Sequence, residues 1–175
     1  HIADKSEVDK LVTSIPACAH ELMQKFWPGP ITLIMEKSNL VPLSVTAGLD
    51  TVGIRMPSNA VAHELIKESG VPVAAPSANT SGRPSPTNAA HVIEDLSGKV
   101  DVIIDAGNCS VGVESTVLDI TSSPPVILRP GGITLEQLEE VLRQVSLDPT
   151  ILAEKYRDFV PKAPGMKYKH YSPKG

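Results

Sequence analysis

Residues 115–131 read STVLDITSSPPVILRPG. Two short β-branched and aliphatic runs, STVLDIT and PVILRPG, lie either side of a Ser-Pro turn. Runs of that length and composition form strands, and the turn is short enough to make them antiparallel neighbours. Downstream, TLEQLEEVLRQV reads as a helix: Thr134 caps it and Gln137 follows three residues later, a capping-box spacing. Upstream, ITLIMEK (31–37), TVGIRMP (51–57), VPVAA (71–75) and VDVIIDAG (100–107) read as further strands. Between them the period changes. SEVDKLVTSI repeats Val8, Leu11, Val12 and Ile15 at helical spacing behind a Ser6 cap. PACAHELMQKFW is opened by Pro16, and SNAVAHELIKES is capped by Ser58 and closed by Gly70. SPTNAAHVIEDLSG is capped by Thr87, with Gly98 beyond its end. Strands and helices that alternate this irregularly predict an α/β chain: a mixed sheet with flanking helices.

Composition narrows the class. The 175 residues suffice for one compact domain with a real core. Only 3% are aromatic against 41% hydrophobic, so Val, Ile, Leu and Ala must build that core. Sixteen prolines predict many rigid turns. A net charge of −4 argues against a surface that grips nucleic acid all over, while leaving room for a local basic patch. Cys18 and Cys109 form no CxxC pair, so neither a disulfide framework nor a zinc site is expected, and a reducing cytoplasm is the simplest location. No apolar run is long enough to span a membrane, and no signal peptide is present, so no membrane partner is expected. The opening HIADKSEVDKL lacks an initiator Met and reads as the end of a strand, as though the chain begins inside a domain. The tail PKAPGMKYKHYSPKG has no period and reads as a linker.

The familiar nucleotide and hydrolase signatures are absent: no GxxxxGK[ST], no GxGxxG after a strand, no HExxH, no GxSxG. Polar residues nevertheless gather where strands end. Arg55 follows TVGI, Ser77 and Asn79 follow VPVAA, Ser115 and Thr116 head STVLDIT, and Arg129 ends PVILR. In open α/β sheets ligands bind beyond strand ends. Two arginines with hydroxyls and an amide suit an anionic, oxygen-rich ligand such as a phosphate or carboxylate. Taken singly, each residue also has a structural reading. Arg55 could pair with a carboxylate. Ser77 and Asn79 could build an Asx turn. Ser115 could be a strand-edge hydroxyl, Arg129 a surface residue, and Trp27-Pro-Gly-Pro a stiff turn. Composition and spacing alone lead to a small-molecule anion site without a reaction.

The combination is more specific. KFWPGPITLIM, TVGIRMP, VPVAAPSANTSGRPSPT, ESTVLDI and ILRPGGIT occur in an order and spacing that closely resembles the YrdC family, and APGMKYKHYSP resembles the linker of its longer two-domain members. The likeness runs from His1 to Pro173. It implies a twisted, open mixed sheet with flanking helices and a large, concave, electropositive cavity. It also implies a threonylcarbamoyl-AMP synthase, which joins L-threonine, bicarbonate and ATP into threonylcarbamoyl-adenylate and releases pyrophosphate. Magnesium accompanies the ATP. A tRNA threonylcarbamoyl-transfer complex then modifies the adenosine beside the anticodon, with a possible tRNA contact.

By motif, the resemblance assigns Ser77 and Asn79 to the nucleotide site, and Thr51, Ser85 and Arg129 to the ATP phosphates or adenosine. Arg55 holds the threonine carboxylate. Ser115, the backbone around Ala75 and His1 line the threonine pocket, while His170 and Tyr171 close over the cavity. No protein side chain is assigned as a nucleophile or as a metal ligand. Residues 1–150 are then a catalytic domain lacking its N-terminal part, including a Lys-x-Arg element upstream of His1. Residues 151–175 are an interdomain linker, with the second domain absent. Two competing readings remain: a double-stranded RNA or tRNA-binding module without turnover, and a carbamoyl-transfer domain of the same fold. The likeness also explains why the loop APSANTSGRPSPT, Ala75–Thr87, combines hydroxyls with three prolines. Rigid donors stabilise developing charge on phosphate without reorganising.

Overall fold

A computed structural model describes residues 1–152. A 3-10 turn, Lys5–Glu7, runs into helix α1 (Val8–Leu11), followed by α2 (Ala17–Phe26), strand β1 (Ile31–Glu36), β2 (Thr51–Ile54), α3 (Ala60–Ser69) and α4 (Ala89–Leu96). Strands β3 (Thr116–Asp119) and β4 (Val126–Arg129), helix α5 (Leu135–Glu139), β5 (Ser146–Leu147) and α6 (Pro149–Leu152) complete it. The five strands form one sheet in the order β2-β1-β3-β4-β5. β1 is antiparallel to β2 and parallel to β3, while β3 is antiparallel to β4. The sheet is therefore mixed, as the alternation of elements predicts, and β3 and β4 are the antiparallel pair read from residues 115–131.

Alternation along β1 divides the sheet into two unequal faces. Ile31, Leu33 and Met35 enter the main core with Leu118 and Ile127. Helix α2 covers that face with Ala19, Leu22, Met23 and Phe26, a helical stripe. The opposite face holds a small second cluster, Ile34, Val117 and Leu128, and Thr32 shares its side of the strand. Between Val117 and Leu118 the β3–β4 register shifts: Val117 faces Arg129, yet Leu118 faces Ile127. Leu128 is thus an extra residue on β4. A bulge of this kind interrupts alternation and re-aims the next side chain.

Several sequence expectations are corrected. VPVAA and VDVIIDAG join no strand of the sheet; Val71 and Val102 are 59% and 74% exposed. Short apolar runs carry no information about whether a ladder partner exists, and Pro72 has no N–H to offer one. Val73 alone keeps an extended pairing: its N–H donates to the His1 carbonyl at 2.9 Å, and the His1 amino group donates to the Val73 carbonyl at 2.8 Å. Asn59 and Asn88, one residue later than expected, cap α3 and α4 by accepting from the amides of Ala62 and His91. Both carry the longer amide side chain, and both precede a small residue that starts the helix. Pro16 is the cap of α2 and not its first residue. The helix read over SEVDKLVTSI ends at Leu11 because Val12 turns extended and bridges to Lys37. α5 keeps the Thr134–Gln137 capping box but stops at Glu139.

Candidate functional site

The first positional fact comes from the sheet. β1 and β3 begin, and β2 and β4 finish, at the same end: Ile31 faces Thr116, Ile54 faces Leu33, and Arg129 faces Val117. Arg55, Ser115 and Arg129 therefore converge there although they are far apart in sequence. Arg55 donates from Nε to the Gly29 carbonyl at 3.0 Å. Arg129 donates from Nε and Nη2 to the Ser115 carbonyl at 3.1 and 2.8 Å, and from Nη2 to Ser115 Oγ at 3.0 Å. Burial lowers the proton affinity of Arg55, and the charge of Arg129 lowers it further, with a small offset from Cys109. Two half-buried guanidiniums held together this way make an electropositive point suited to an oxyanion.

The backbone beneath Ser115 is fixed on both sides. Thr116, fully buried, donates through Oγ1 to the Ile133 carbonyl at 2.6 Å and accepts from the Ile133 amide at 2.9 Å. Gly131 lies so close that a Cβ there would come within 2.3 Å of the Glu114 carbonyl and 2.5 Å of the Thr116 nitrogen. Gly132 donates its amide to the Glu114 carbonyl at 3.0 Å. The Arg-Pro-Gly-Gly turn after β4 thus clamps the start of β3.

The polar loop approaches from the side. Ser85 donates to Glu114 Oε1 at 2.9 Å, one residue from Ser115. The Cys109 amide donates to the Thr87 carbonyl at 2.8 Å. Farther back, Asp95 of α4 accepts from the Thr80 amide at 3.1 Å and from Arg83, which also reaches Glu94 at 2.9 Å. Asn79 donates from Nδ2 to the carbonyls of Thr80 and Arg83, both at 3.0 Å. Two carbonyl partners fix which end of the amide is nitrogen. That leaves Asn79 Oδ1 buried with no hydrogen-bond partner among the described residues.

The sequence-derived residues divide accordingly. His1 reaches this end, because the Ile2 amide donates to the Arg55 carbonyl at 3.0 Å. Ser85, Arg55, Ser115 and Arg129 also meet there. Ala75 lies two residues beyond the His1–Val73 pairing, and both Ala75 and Ser77 are exposed. Thr51 lies at the opposite end of β2, facing Glu36. His170 and Tyr171 fall outside the described residues. The sequence reading missed Thr32, whose Oγ1 lies 3.0 Å from Ser115 Oγ. Its signal was a hydroxyl inside an otherwise aliphatic strand, directly after Trp-Pro-Gly-Pro. The Trp27 turn is packed as expected: Trp27 is buried and its Nε1 donates to the Ile31 carbonyl at 3.0 Å.

Two shallow depressions, about 370 and 260 Å³, lie elsewhere, along α2 beside His20 and Lys25. Neither contains an arginine of the cluster. We place the site at the cluster because converging donors and like charges, unlike volume, require a ligand of defined chemistry. A magnesium cage does not fit there: among the described residues, beside the guanidiniums, hydroxyls and an amide stands a single carboxylate, Glu114, already bonded to Ser85. No group of three or more His, Cys, Asp or Glu that could hold a metal occurs among the described residues.

Comparison with known proteins decides the family. The Sua5/YciO/YrdC family model, whose description reads "Telomere recombination", matches residues 1–131. The chain belongs to the Sua5/YciO/YrdC family. A second family model, "Threonylcarbamoyl-AMP synthase, C-terminal domain", matches residues 133–175. Two curated threonylcarbamoyl-AMP synthases are 50% identical to this Sua5/YciO/YrdC chain. The Pyrococcus abyssi protein aligns over 99% of this chain and 50% of its own length, and the Bacillus subtilis protein over 99% and 49%. The chain spans about half the length of the curated relatives it matches. The crystal structure of P. abyssi Sua5 complexed with L-threonine superposes with a TM-score of 0.92 at 51% identity, covering 99% of this chain and 50% of that one. Escherichia coli YciO superposes with a TM-score of 0.67 at 28% identity, covering 77% of this chain and 66% of that one. The α/β fold with a mixed sheet is thus that of the Sua5/YciO/YrdC family.

Proposed function

We propose that this chain carries the catalytic unit of a threonylcarbamoyl-AMP synthase, converting L-threonine, bicarbonate and ATP into threonylcarbamoyl-adenylate and pyrophosphate. The observation that carries the reading is the Arg55–Arg129–Ser115 cluster at one sheet end, in a chain half identical to curated synthases. Among the described residues, the only hydrogen bond from the Arg55 side chain runs from Nε. Its terminal nitrogens then take the threonine carboxylate as a two-pronged donor. Bicarbonate takes up a proton and loses water to give CO2; the threonine amine attacks its carbon, an N–C bond forms as one C–O π bond opens, and the nitrogen gives a proton to solvent, leaving a carbamate. A carbamate oxygen attacks the α-phosphorus of ATP, the bond to the bridging oxygen breaks, and pyrophosphate leaves with the electron pair. Such a reaction needs positioning and charge neutralisation more than a side-chain nucleophile.

Ser115, His1 and the backbone at Ala75 line the threonine end, and Arg129 and Ser85 face the phosphates. Ser77, Asn79 and Thr51 serve the nucleotide. Magnesium would travel with the ATP phosphates and take its ligands from them. Residues 1–150 form this unit and 151–175 a connecting segment from which His170 and Tyr171 close the site. The product would pass, in the cytoplasm, to a tRNA threonylcarbamoyl-transfer complex, with a possible tRNA contact on this protein. Both cysteines are free thiols, which suits that compartment.

The test is to incubate the full-length protein with ATP, magnesium and bicarbonate, with and without L-threonine, and to follow pyrophosphate and the adenylate by mass spectrometry. Threonine-dependent pyrophosphate release with the adenylate mass is the expected result. A folded protein that releases none would sink the reading. Salt-dependent RNA binding in its place would bring the RNA-module alternative forward.

A further inference from the structure

We propose that Thr32 is a positioning residue that sets the direction of the Ser115 hydroxyl, and through it the grip on the amino-acid substrate; this rests on the synthase reading above. Four residues on four adjacent strands or strand ends follow one another in contact on the sheet face opposite the main core: Thr32 stands against Gly53 and against Ser115, and Ser115 against Arg129. A guanidinium can only donate. The 3.0 Å contact from Arg129 Nη2 therefore makes Ser115 Oγ an acceptor. The 3.0 Å contact between Thr32 Oγ1 and Ser115 Oγ can run either way. When Thr32 donates, both acceptor positions of Ser115 are filled, and its own proton must point away from the sheet, toward a bound carboxylate or carbamate oxygen. Without such an anion the Ser115 proton can turn back to Thr32.

The orientation of Thr32 is itself enforced. Its Cγ2 methyl lies 3.1 Å from where a Cβ on Gly53 would stand. Across the strand pair the missing side chain of Gly53 makes room for the methyl, and a threonine so seated directs Oγ1 to the other neighbour, β3. Threonine side chains have few χ1 choices on a strand, so seating the methyl fixes the hydroxyl. Ser115 cannot drift from this partner, because Gly131 and the Thr116–Ile133 bonds hold its backbone.

The experiment compares Thr32→Val, Thr32→Ser and Gly53→Ala with wild type in the full-length protein, reading KM for L-threonine, kcat and the thermal midpoint. Thr32→Val keeps shape and removes the hydroxyl. It should raise KM for L-threonine about 3- to 10-fold, the worth of one hydrogen bond to a neutral group, with a smaller change in kcat and a nearly unchanged melt. Thr32→Ser should restore KM to near wild type. Gly53→Ala, which keeps the hydroxyl but crowds the methyl, should raise KM in the same direction and serves if Thr32→Val fails to fold. A wild-type KM in Thr32→Val, or in a folded Gly53→Ala if the valine variant is lost, overturns the proposal. So does a Thr32→Ser as impaired as Thr32→Val, which would mean that only the methyl matters. If wild type itself shows no threonine-dependent turnover, the synthase reading falls and takes this one with it. Wild-type turnover with an indifferent Thr32 removes only the positioning role.

Discussion

Arg55 and Arg129, 74 positions apart in sequence, face the same end of the sheet, where burial first and then the charge of Arg129 weaken the hold of Arg55 on its proton. Like charges brought together at a half-buried position cost stability unless something else gains by it. Each arginine is tied down through carbonyl oxygens, Gly29 for Arg55 and Ser115 for Arg129. The arrangement therefore favours arrival of an anion.

Replacing Arg55 should separate binding from folding. Arg55→Ala removes one hydrogen bond and one repulsion, so stability in urea should shift by no more than about 1 kcal/mol. Binding of L-threonine, measured by calorimetry, should weaken at least tenfold, on the order of the 1.5–3 kcal/mol of a charged hydrogen bond. Arg55→Lys should recover little of it, because an ammonium cannot reproduce the planar fork. Undiminished threonine binding in Arg55→Ala would remove Arg55 from the pocket.

Gly131 is the position least able to change. An added Cβ meets backbone atoms of Glu114, Ser115 and Thr116, none of which is a movable side-chain end. Gly131→Ala should cost about 3 kcal/mol or more in a denaturant titration. By contrast Thr116→Val keeps the volume and strands both partners at Ile133, for about 1–3 kcal/mol. If Gly131→Ala proves the milder of the two, the clamp on Ser115 is looser than the geometry implies.

Asp95 should govern the order of the polar loop. It is 7% exposed and accepts from the Thr80 amide and Arg83. Asp95→Ala should speed hydrogen exchange at the Thr80 amide at least tenfold, with a local cost of about 1.5–3 kcal/mol. Residues of β1 should keep their protection. Equal exchange at Thr80 in both proteins would mean that the loop is held by other contacts.

The two thiols should part company at alkaline pH. Burial raises the pKa of the half-buried Cys18 above its ordinary 9.0. The unfolded chain then gives up the Cys18 proton at a lower pH than the folded one, so from about pH 9 upward stability falls as pH rises. Cys18→Ser should flatten part of that fall in melts taken between pH 8 and 10. A maleimide or iodoacetamide at neutral pH should label the exposed Cys109 first, and mass mapping would show the order. Faster labelling at Cys18 contradicts its burial.

Much of the fold was legible because its signals are local. The β-branched run ITLIMEK, the STVLDIT–PVILRPG pair, the helix in PACAHELMQKFW and the Thr134–Gln137 box each lie within fewer than twenty residues, and the structure contains all of them. VPVAA and VDVIIDAG carried the same local signal and form no sheet strand. Strand formation needs a partner, and a partner lies elsewhere in the chain. The candidate site was legible as a set of residue types at strand ends. It was not legible as a geometry: Thr51 bears the same polar mark as Arg55 but starts the strand that Arg55 follows, so the two occupy opposite ends.

The sequence by itself determined the mixed α/β class, the aromatic-poor core and, through its motif order, the resemblance to one family. Only the tertiary structure decided which polar residues meet. Strict alternation from Ile127 would send Arg129 into the main core. The extra residue Leu128 turns it to the other face, where Ser115 and Thr32 stand. A bulge depends on how two strands register against each other, and register is a property of the pair and not of either strand alone.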